Sequence, residues 1–446
     1  MHARRIRPAA GPLDRRRLAA AGLSALLPGL GQLVNRRRRL TAVFLVPSLI
    51  VLIAALVLAP SQSPAGIAAW VISPRVLGVL LTLNGLILVW RLVSVGQAFL
   101  DTRLAGPTSR VGIIGIALLA IAVALPHGVL QWYGTSLSVL FGQVFTDTRD
   151  AEPLPDRRIN VLLVGTDKTR LRTTTLTDTM IVASLDPVGN TVSLLSIPRD
   201  LVRVPLGNGD TFGPKINSLL MYADSHEQEF PAGGMATLQR AIGALLGIEI
   251  PYYAEMRFGG LIDMVDAVGG VDVDVAAGFE DPDYDGYGMG GRGFAIEAGR
   301  HHLDGVHALA YARARKADGE SDFTRASRQQ QILLALRHAA TRDGSLVWRL
   351  PELMEAAGET VRTNVPTALI PRLAALVDDL DDDTVTRSII RHPLVRSRNT
   401  EYGSSLVPDL EAIREVAAKL FPAPGTTPIP WPTPEPSPTP AADAGG

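Results

Sequence analysis

Cysteine is missing from this 446-residue chain. Its absence excludes disulfides, thiolate metal sites and a cysteine nucleophile. An excess of charge is missing too: 43 lysines and arginines face 44 aspartates and glutamates, a formal net charge of −1. That balance points to neither a nucleic-acid binder nor an acidic tail. What the chain does have is apolar character, a mean hydropathy of +0.19, and the surplus lies in the first third. The length allows two or three folded units.

Six arginines fall within residues 1–17 (Arg4, Arg5, Arg7, Arg15, Arg16 and Arg17), and Arg36 to Arg39 stand in a row. The short apolar piece between them, 18–34, has arginines on both sides, so spanning would carry one cluster across the bilayer. It is expected as an interfacial or re-entrant hairpin broken at Pro28-Gly29, inside a basic segment covering 1–40. A signal peptide is a poor fit, because a longer apolar segment follows. Three uncharged runs, 41–59, 76–90 and 111–125, suit three transmembrane helices within 41–130. Arg91, Arg103 and Arg110 lie between the second and third runs, against Arg75 alone at the edge of the 60–75 loop. The arginines thus place the N-terminus and the 91–110 loop in the cytoplasm and everything after about residue 130 outside. If the second or third run were a buried core helix instead, the C-terminal part would return to the cytosol. Residues 131–157 are expected as a tether, 158–422 as an extracytoplasmic domain, and 423–446, rich in Pro, Thr and Ala, as a disordered tail.

The domain opens with three apolar runs of strand character. Ile159–Val164 ends in Gly165-Thr166-Asp167, and Thr179–Leu185 is entered through Thr177-Asp178. Thr191–Ile197 follows a turn at Asp186–Asn190 and ends in Pro198-Arg199-Asp200. Two carboxylates, Asp167 and Asp178, and one guanidinium, Arg199, therefore stand at strand ends, a set suited to a phosphate-handling, metal-assisted site. Helical stretches at Met235–Leu246, Leu261–Val268, Leu303–Arg313 and Phe323–His338 alternate with strands at Tyr252–Phe258, Val271–Val275 and Val385–Ile390. The mixture predicts an α/β fold, a layered α-β-α domain with a mixed central sheet, preceded by an all-helical transmembrane anchor.

The string from Asn160 to Asp200 is followed, in order, by Lys215-Ile216-Asn217, Gly269–Val273, Leu303-Asp304-Gly305, Ala308–Arg315, Asp322–Arg325 and Arg328-Gln329-Gln330. In this ordered set the chain resembles the LytR–CpsA–Psr family, over roughly 158–340 and onward to about 422. The resemblance implies a Mg²⁺-dependent phosphotransferase that moves a glycopolymer from a polyprenyl-pyrophosphate carrier to peptidoglycan or another cell-wall acceptor. It implies Asp178, Arg199, Arg313 and Arg315 as catalytic residues, and Asp167, Lys215, Gln329, Arg325 and Arg328 as substrate-binding ones. Asp167 and Asp178 would be the metal ligands. Guanidinium forks match phosphate oxygens bidentately, and magnesium neutralises phosphate charge. The implied partners are the lipid-linked donor, the wall acceptor and membrane lipid, with no nucleic acid. A polyprenyl-pyrophosphate hydrolase and a non-catalytic lipid- or glycan-binding regulator stay open as alternatives.

The chain departs from the family pattern in places. Leu176-Thr177 precede Asp178 where the family often has arginine or serine, so Arg170 or Arg172 would have to replace that cation. Three spans replace the usual single one. Other signals are set aside. Asp281-Pro-Asp283-Tyr-Asp285-Gly286 begins like a calcium loop but has Arg292 at its twelfth position. Gly288–Gly293 neither follows a clean strand nor opens a helix and is expected as a surface loop. His301, His302 and His307 lack metal spacing, and the acidic run 378–383 is expected as a solvated turn. A polyprenyl tail needs an apolar slot. Leu238, Ile242, Leu245, Leu261, Ile262, Val265, Ile332 and Leu336 have the periodicity to line one opening beside Arg199 and Arg313.

Overall fold

The computed structural model describes residues 12–58, 74–101, 107–144, 157–167, 176–286, 289–315, 321–342, 360–366 and 382–431, with isolated positions at 358, 369, 373 and 380. The chain divides into two compact units, Met1–Val139 and Leu140–Gly446.

The first unit is helical: α1 (Pro12–Leu26), α2 (Leu30–Val34), α3 (Arg38–Leu58), α4 (Pro74–Phe99) and α5 (Arg110–Val144). Gly29 turns α1 into α2 with φ of 105°, a conformation that glycine adopts without strain. The expected break is there. Polar side chains tie this hairpin to α4. Ser24 donates to Gln32 at 2.9 Å, Gln32 to the Ser94 carbonyl at 2.8 Å, and Asn35 to the Ala98 carbonyl at 2.9 Å. Two helical stretches, Val76–Phe99 and Arg110–Ser136, are long and apolar enough to cross a membrane. The first expected span, 41–59, is helical through Leu58, and its last position lies outside the described residues. Two arginines of the expected 91–110 loop are helical: α4 continues to Phe99 and so includes Arg91, with its Nη1 3.3 Å from His127 Nε2, and α5 opens on Arg110. Helix α5 runs on to Val144, making the first part of the expected tether helical.

The second unit opens with β1 (Ile159–Thr166), β2 (Thr177–Asp186) and β3 (Thr191–Ser196), followed by the small strands β4 (Val204–Pro205) and β5 (Thr211–Phe212). Then come α6 (Leu219–Ser225), α7 (Gly233–Leu246), β6 (Tyr252–Arg257), α8 (Phe258–Ala267), β7 (Val271–Val275), β8 (Phe279–Asp281), β9 (Phe294–Ile296) and β10 (Gly299–Leu303). The rest is α9 (Gly305–Arg313), α10 (Asp322–Thr341), β11 (Val361–Thr363), β12 (Val385–Ile389), β13 (Val395–Thr400), β14 (Gly403–Pro408) and α11 (Leu410–Leu420). Six strands form the central sheet in the order β11-β6-β1-β2-β3-β12. β1 is antiparallel to β2 and parallel to β6, and β3 is antiparallel to β2 and parallel to β12, so the sheet is mixed.

Alternation along the strands sorts the layers. Leu162, Val164, Met180, Val182 and Leu195 face α7 and α11, where Leu238, Ile242 and Leu245 are wholly buried. Ile159, Val161, Ile181 and Ala183 face the opposite layer, which includes Leu333 and Leu334 of α10. The result is the expected α-β-α sandwich. Leu238, Ile242 and Leu245 are therefore core residues on the face away from α10 and cannot share a slot with Ile332 and Leu336. Each such buried side chain contributes roughly 1.5–3 kcal/mol relative to exposure.

Three hairpins among the described residues go beyond the expected elements, β4–β5, β8–β9 and β13–β14. β8 and β9 pair across the region that began like a calcium loop, with Asp281 opposite Phe294. β13 and β14 pair from Val395–Pro408 to Thr400–Gly403. Strands of three residues are too short to show a period. The expected disordered tail is also corrected, because residues 422–431 lie along the domain. Arg158 donates to the Pro422 carbonyl at 2.7 Å, and the Gly425 N–H donates to Asp186 at 2.7 Å. The Trp431 N–H reaches Ser388 at 3.0 Å, and its side chain packs on the core. Residues 432–446 lie outside the described residues.

Candidate active site

β1 and β3 run one way and β2 the other, so the end of β1, the start of β2 and the segment after β3 meet at one edge of the sheet. Asp167, Asp178 and Arg199 stand there. Arg199 Nη1 donates to Asp178 Oδ1 at 2.7 Å, and Arg315 Nη2 approaches the same oxygen at 3.3 Å. Arg313 Nη2 lies 3.4 Å from Asp167 and 3.9 Å from Asp178. Burial alone would raise the Asp178 carboxyl, but Arg315, Arg199 and Arg313 outweigh it and hold the group below its ordinary range. Asp178 is an anion at neutral pH.

The two late arginines arrive from α9. Asp304 caps that helix, accepting from the His307 N–H at 2.9 Å. The helix ends at Arg313, and Ala314 is extended, with ψ of 138°. That single extended residue brings Arg313 and Arg315 to the same carboxylate. The turn is braced from behind. Asp281 accepts the Arg315 N–H at 2.7 Å, and Arg328 donates to the Ala314 carbonyl at 2.7 Å. The Arg328 guanidinium lies 4.2 Å above the Phe279 ring, and that of Arg313 lies 4.0 Å above Phe258.

Helix α10 opens on a capping box, with Ser321 accepting from the Thr324 N–H at 3.2 Å. Its first residue, Asp322, pairs with Arg325 at 2.6 Å and lies 3.8 Å from Arg199 Nε. Arg325 is pushed down to about 10 by burial and by Arg199, and stays cationic at neutral pH. Lys215 pairs with Asp200 at 3.0 Å, beside Arg199 in the chain.

The structure thus gathers Asp167, Asp178, Arg199, Arg313 and Arg315, with Arg325 joined through Asp322. Arg328 is a correction. The resemblance implies it as substrate-binding, but its guanidinium is turned toward Ala314 and Phe279. It positions the arginine-bearing turn. Asp281 and Phe258 were missed as site residues: Asp281 depends on a hairpin invisible to pattern, and Phe258 signalled only as an aromatic at a strand end. Arg170 and Arg172 lie outside the described residues. His302 and His307 pair with Asp272 and Asp304 at 2.8 Å and 2.7 Å.

Beside Arg313 lies an apolar cavity of about 160 Å³, between the sheet and α8, α9 and α10. Leu163, Ile181, Met256, Leu261, Ile332 and Leu336 line it. Arg199 instead lines a small polar pocket with Asp178 and Arg325, and Gln329 borders both spaces. Ile262 is not in the cavity lining, and Val265 is wholly buried in the adjacent core.

For a magnesium ion, Asp167 and Asp178 are the carboxylates at hand, both within 4 Å of Arg313. Among the described residues, no three acidic or histidine side chains form a ready metal site. Magnesium is commonly held by one or two carboxylates together with substrate phosphates and waters, so this donor pair fits an ion that enters with a pyrophosphate.

The sequence model of the LytR_cpsA_psr family matches residues 144–419. The chain is 38% identical over 189 residues to the polyisoprenyl-teichoic acid–peptidoglycan teichoic acid transferase TagV of Bacillus subtilis (strain 168). That match covers 42% of this chain and 44% of TagV, so the chain spans under half the length of that relative. It is 29% identical over 257 residues to the transferase TagU of Halalkalibacterium halodurans, covering 57% of this chain and 77% of TagU. Among solved structures, the crystal structure of B. subtilis TagV aligns with a TM-score of 0.46 at 28% identity, covering 59% of this chain and 97% of that one.

Proposed function

The chain belongs to the LytR–CpsA–Psr family, and from that premise we propose that it is a membrane-anchored transferase moving a glycopolymer from a polyprenyl-pyrophosphate carrier to peptidoglycan or another wall acceptor. In this proposal the anchor has three spans and a cytoplasmic N-terminus, and the domain after it is extracytoplasmic. One observation carries the reading: a carboxylate held by three arginines, Asp178 with Arg199, Arg313 and Arg315, of which Arg313 also lines an apolar cavity. Several cations beside an apolar slot suit a ligand with a pyrophosphate head and a lipid tail.

The donor's tail occupies the cavity, and its phosphates engage Arg199, Arg313 and Arg315. An acceptor sugar hydroxyl forms the new bond to the phosphorus next to the glycan. The bond from that phosphorus to the bridging oxygen breaks, and polyprenyl phosphate leaves. The hydroxyl proton goes to Asp167, because the arginines that hold the Asp178 carboxyl below its ordinary range make Asp178 the weaker base. The arginines stabilise the charge developing on the phosphate oxygens. Magnesium, held by Asp167 and Asp178, would neutralise phosphate charge when bound.

The test uses the full chain in detergent with a lipid-pyrophosphate-linked glycan, with and without acceptor and Mg²⁺. Expected is acceptor-dependent release of polyprenyl phosphate, lowered about 10²–10³-fold in Arg199→Ala and in Arg313→Ala. Release into water without acceptor would instead make the protein a hydrolase. Full turnover and wall attachment in both variants would sink the enzymatic reading in favour of a binding regulator.

A further inference from the structure

We propose that a second cleft, formed by the β4–β5 hairpin, α6, the start of α7 and Tyr402, binds the acceptor as an uncharged, hydroxyl-rich sugar chain; this rests on the transfer reading above. The cleft encloses about 550 Å³, well within the range of ligand sites. Its lining differs in kind from the arginine cluster. Tyr222 packs against Phe212 and Phe230, with ring centroids 5.4 Å and 5.9 Å apart. Tyr402, in the β13–β14 turn, is 41% exposed at the rim. Gly213 adjoins this ring: a β-carbon there would make an ordinary contact with the Tyr402 hydroxyl at 3.5 Å.

Asp210 and Glu229 face this space with Arg240 as the cation among its lining residues. That balance repels a polyanion and offers both donors and acceptors to hydroxyls. Sugar rings have apolar C–H faces that pack on aromatic rings, and the exposed Tyr402 supplies one, while Tyr222, stacked on His226 at 4.0 Å, stiffens the floor. The cleft also leads to the chemistry. Gly213 and Pro214 form part of its wall, and Lys215 follows directly, within about 8 Å of Gly213 along the backbone. Asn217, two residues further, donates its N–H to the Arg199 carbonyl at 3.2 Å. Among the described residues none lines both the cleft and the apolar cavity, so donor and acceptor take separate spaces.

The test measures binding of an N-acetylglucosamine tetramer, and of tripolyphosphate as an anionic control, to the full chain in detergent. Tyr402→Ala is expected to weaken the tetramer at least tenfold, and Asp210→Asn several-fold, with tripolyphosphate unchanged. In the transfer assay both variants raise the acceptor KM and leave kcat at saturating acceptor unchanged. Wild-type protein that does not bind the tetramer, or variants that bind it as wild type does, would overturn the proposal. Tetramer binding lost in Tyr402→Ala, with no transfer by any form of the protein, would keep the cleft and discard the transfer reading.

Discussion

The Arg313 guanidinium carbon lies above the Phe258 ring, 4.0 Å from its centroid, while its Nη2 lies 3.4 Å from Asp167. The ring fixes where this cation points. A partly buried contact of this kind is worth about 1–2 kcal/mol. Phe258→Leu keeps an apolar side chain but loses the π face. We expect a roughly three- to tenfold fall in kcat/KM for the lipid-linked donor, with the melting temperature lowered by only a few degrees. An unchanged kcat/KM would show that Arg313 is aimed by its carboxylates alone.

Asp281 should act through Arg315. It accepts the Arg315 N–H and has no place in the expected contacts with substrate. Asp281→Ala is expected to lower turnover about tenfold, whereas Asp281→Asn, which keeps an acceptor oxygen, restores most of it. Arg328→Lys should fail to rescue Arg328→Ala, because an ammonium lacks the planar fork that both stacks on Phe279 and reaches Ala314. Paired turnover and thermal-melting measurements separate this positioning role from simple loss of fold.

Filling the apolar cavity should separate tail from head. Ala254 is part of its wall. Ala254→Phe is expected to raise the KM for a donor with a long polyprenyl chain more than tenfold, and to change little for a water-soluble short-chain analogue. Equal effects on the two donors would place the tail elsewhere.

Acid stability should depend on Asp186. Its carboxylate accepts the N–H groups of Val188, Gly189 and Gly425 at 2.9, 3.0 and 2.7 Å and lies 3.3 Å from Arg158. Burial would raise the group, but those N–H donors and Arg158 bring it below its ordinary value. The folded state therefore binds this proton less tightly than the unfolded chain. Its stabilisation is complete above the unfolded value, about 3.9, and disappears as pH falls through the lower folded value. Asp186→Asn is expected to cost about 2–3 kcal/mol at pH 7 in denaturant unfolding. The gap from wild type should close in strong acid, and a pH-independent gap would contradict the assignment.

The three leading strands were legible because the apolar runs that lead into Asp167, out of Asp178 and into Arg199 are long enough to show a period. The meeting of those ends follows from antiparallel order, which the turn at Asp186 already signalled. Arg313 and Arg315 entered only through the family resemblance. Their convergence depends on one extended residue, Ala314, that no pattern announces. Arg328 misled because a family motif fixes a residue's place in the chain but not where its long side chain bends. The tail misled because composition weighs proline and threonine, whereas docking is decided by single partners such as Gly425 with Asp186 and Trp431 with Ser388. The lipid slot was half legible: periodicity identified buried positions on α7 and α10 alike, but not which side of the sheet each helix covers.

The docked segment after α11 gives the domain a mechanical character. Arg158, one residue before β1, is fastened to Asp186 and to the Pro422 carbonyl, and β1 itself lies between β2 and β6. A pull on the chain at Arg157 is therefore directed along an interior strand, loading two ladders of hydrogen bonds in shear rather than opening them one at a time. The fold is gripped by its middle, so tension reaching it from the N-terminal side must break many bonds together before the site at the far end of β1 is disturbed.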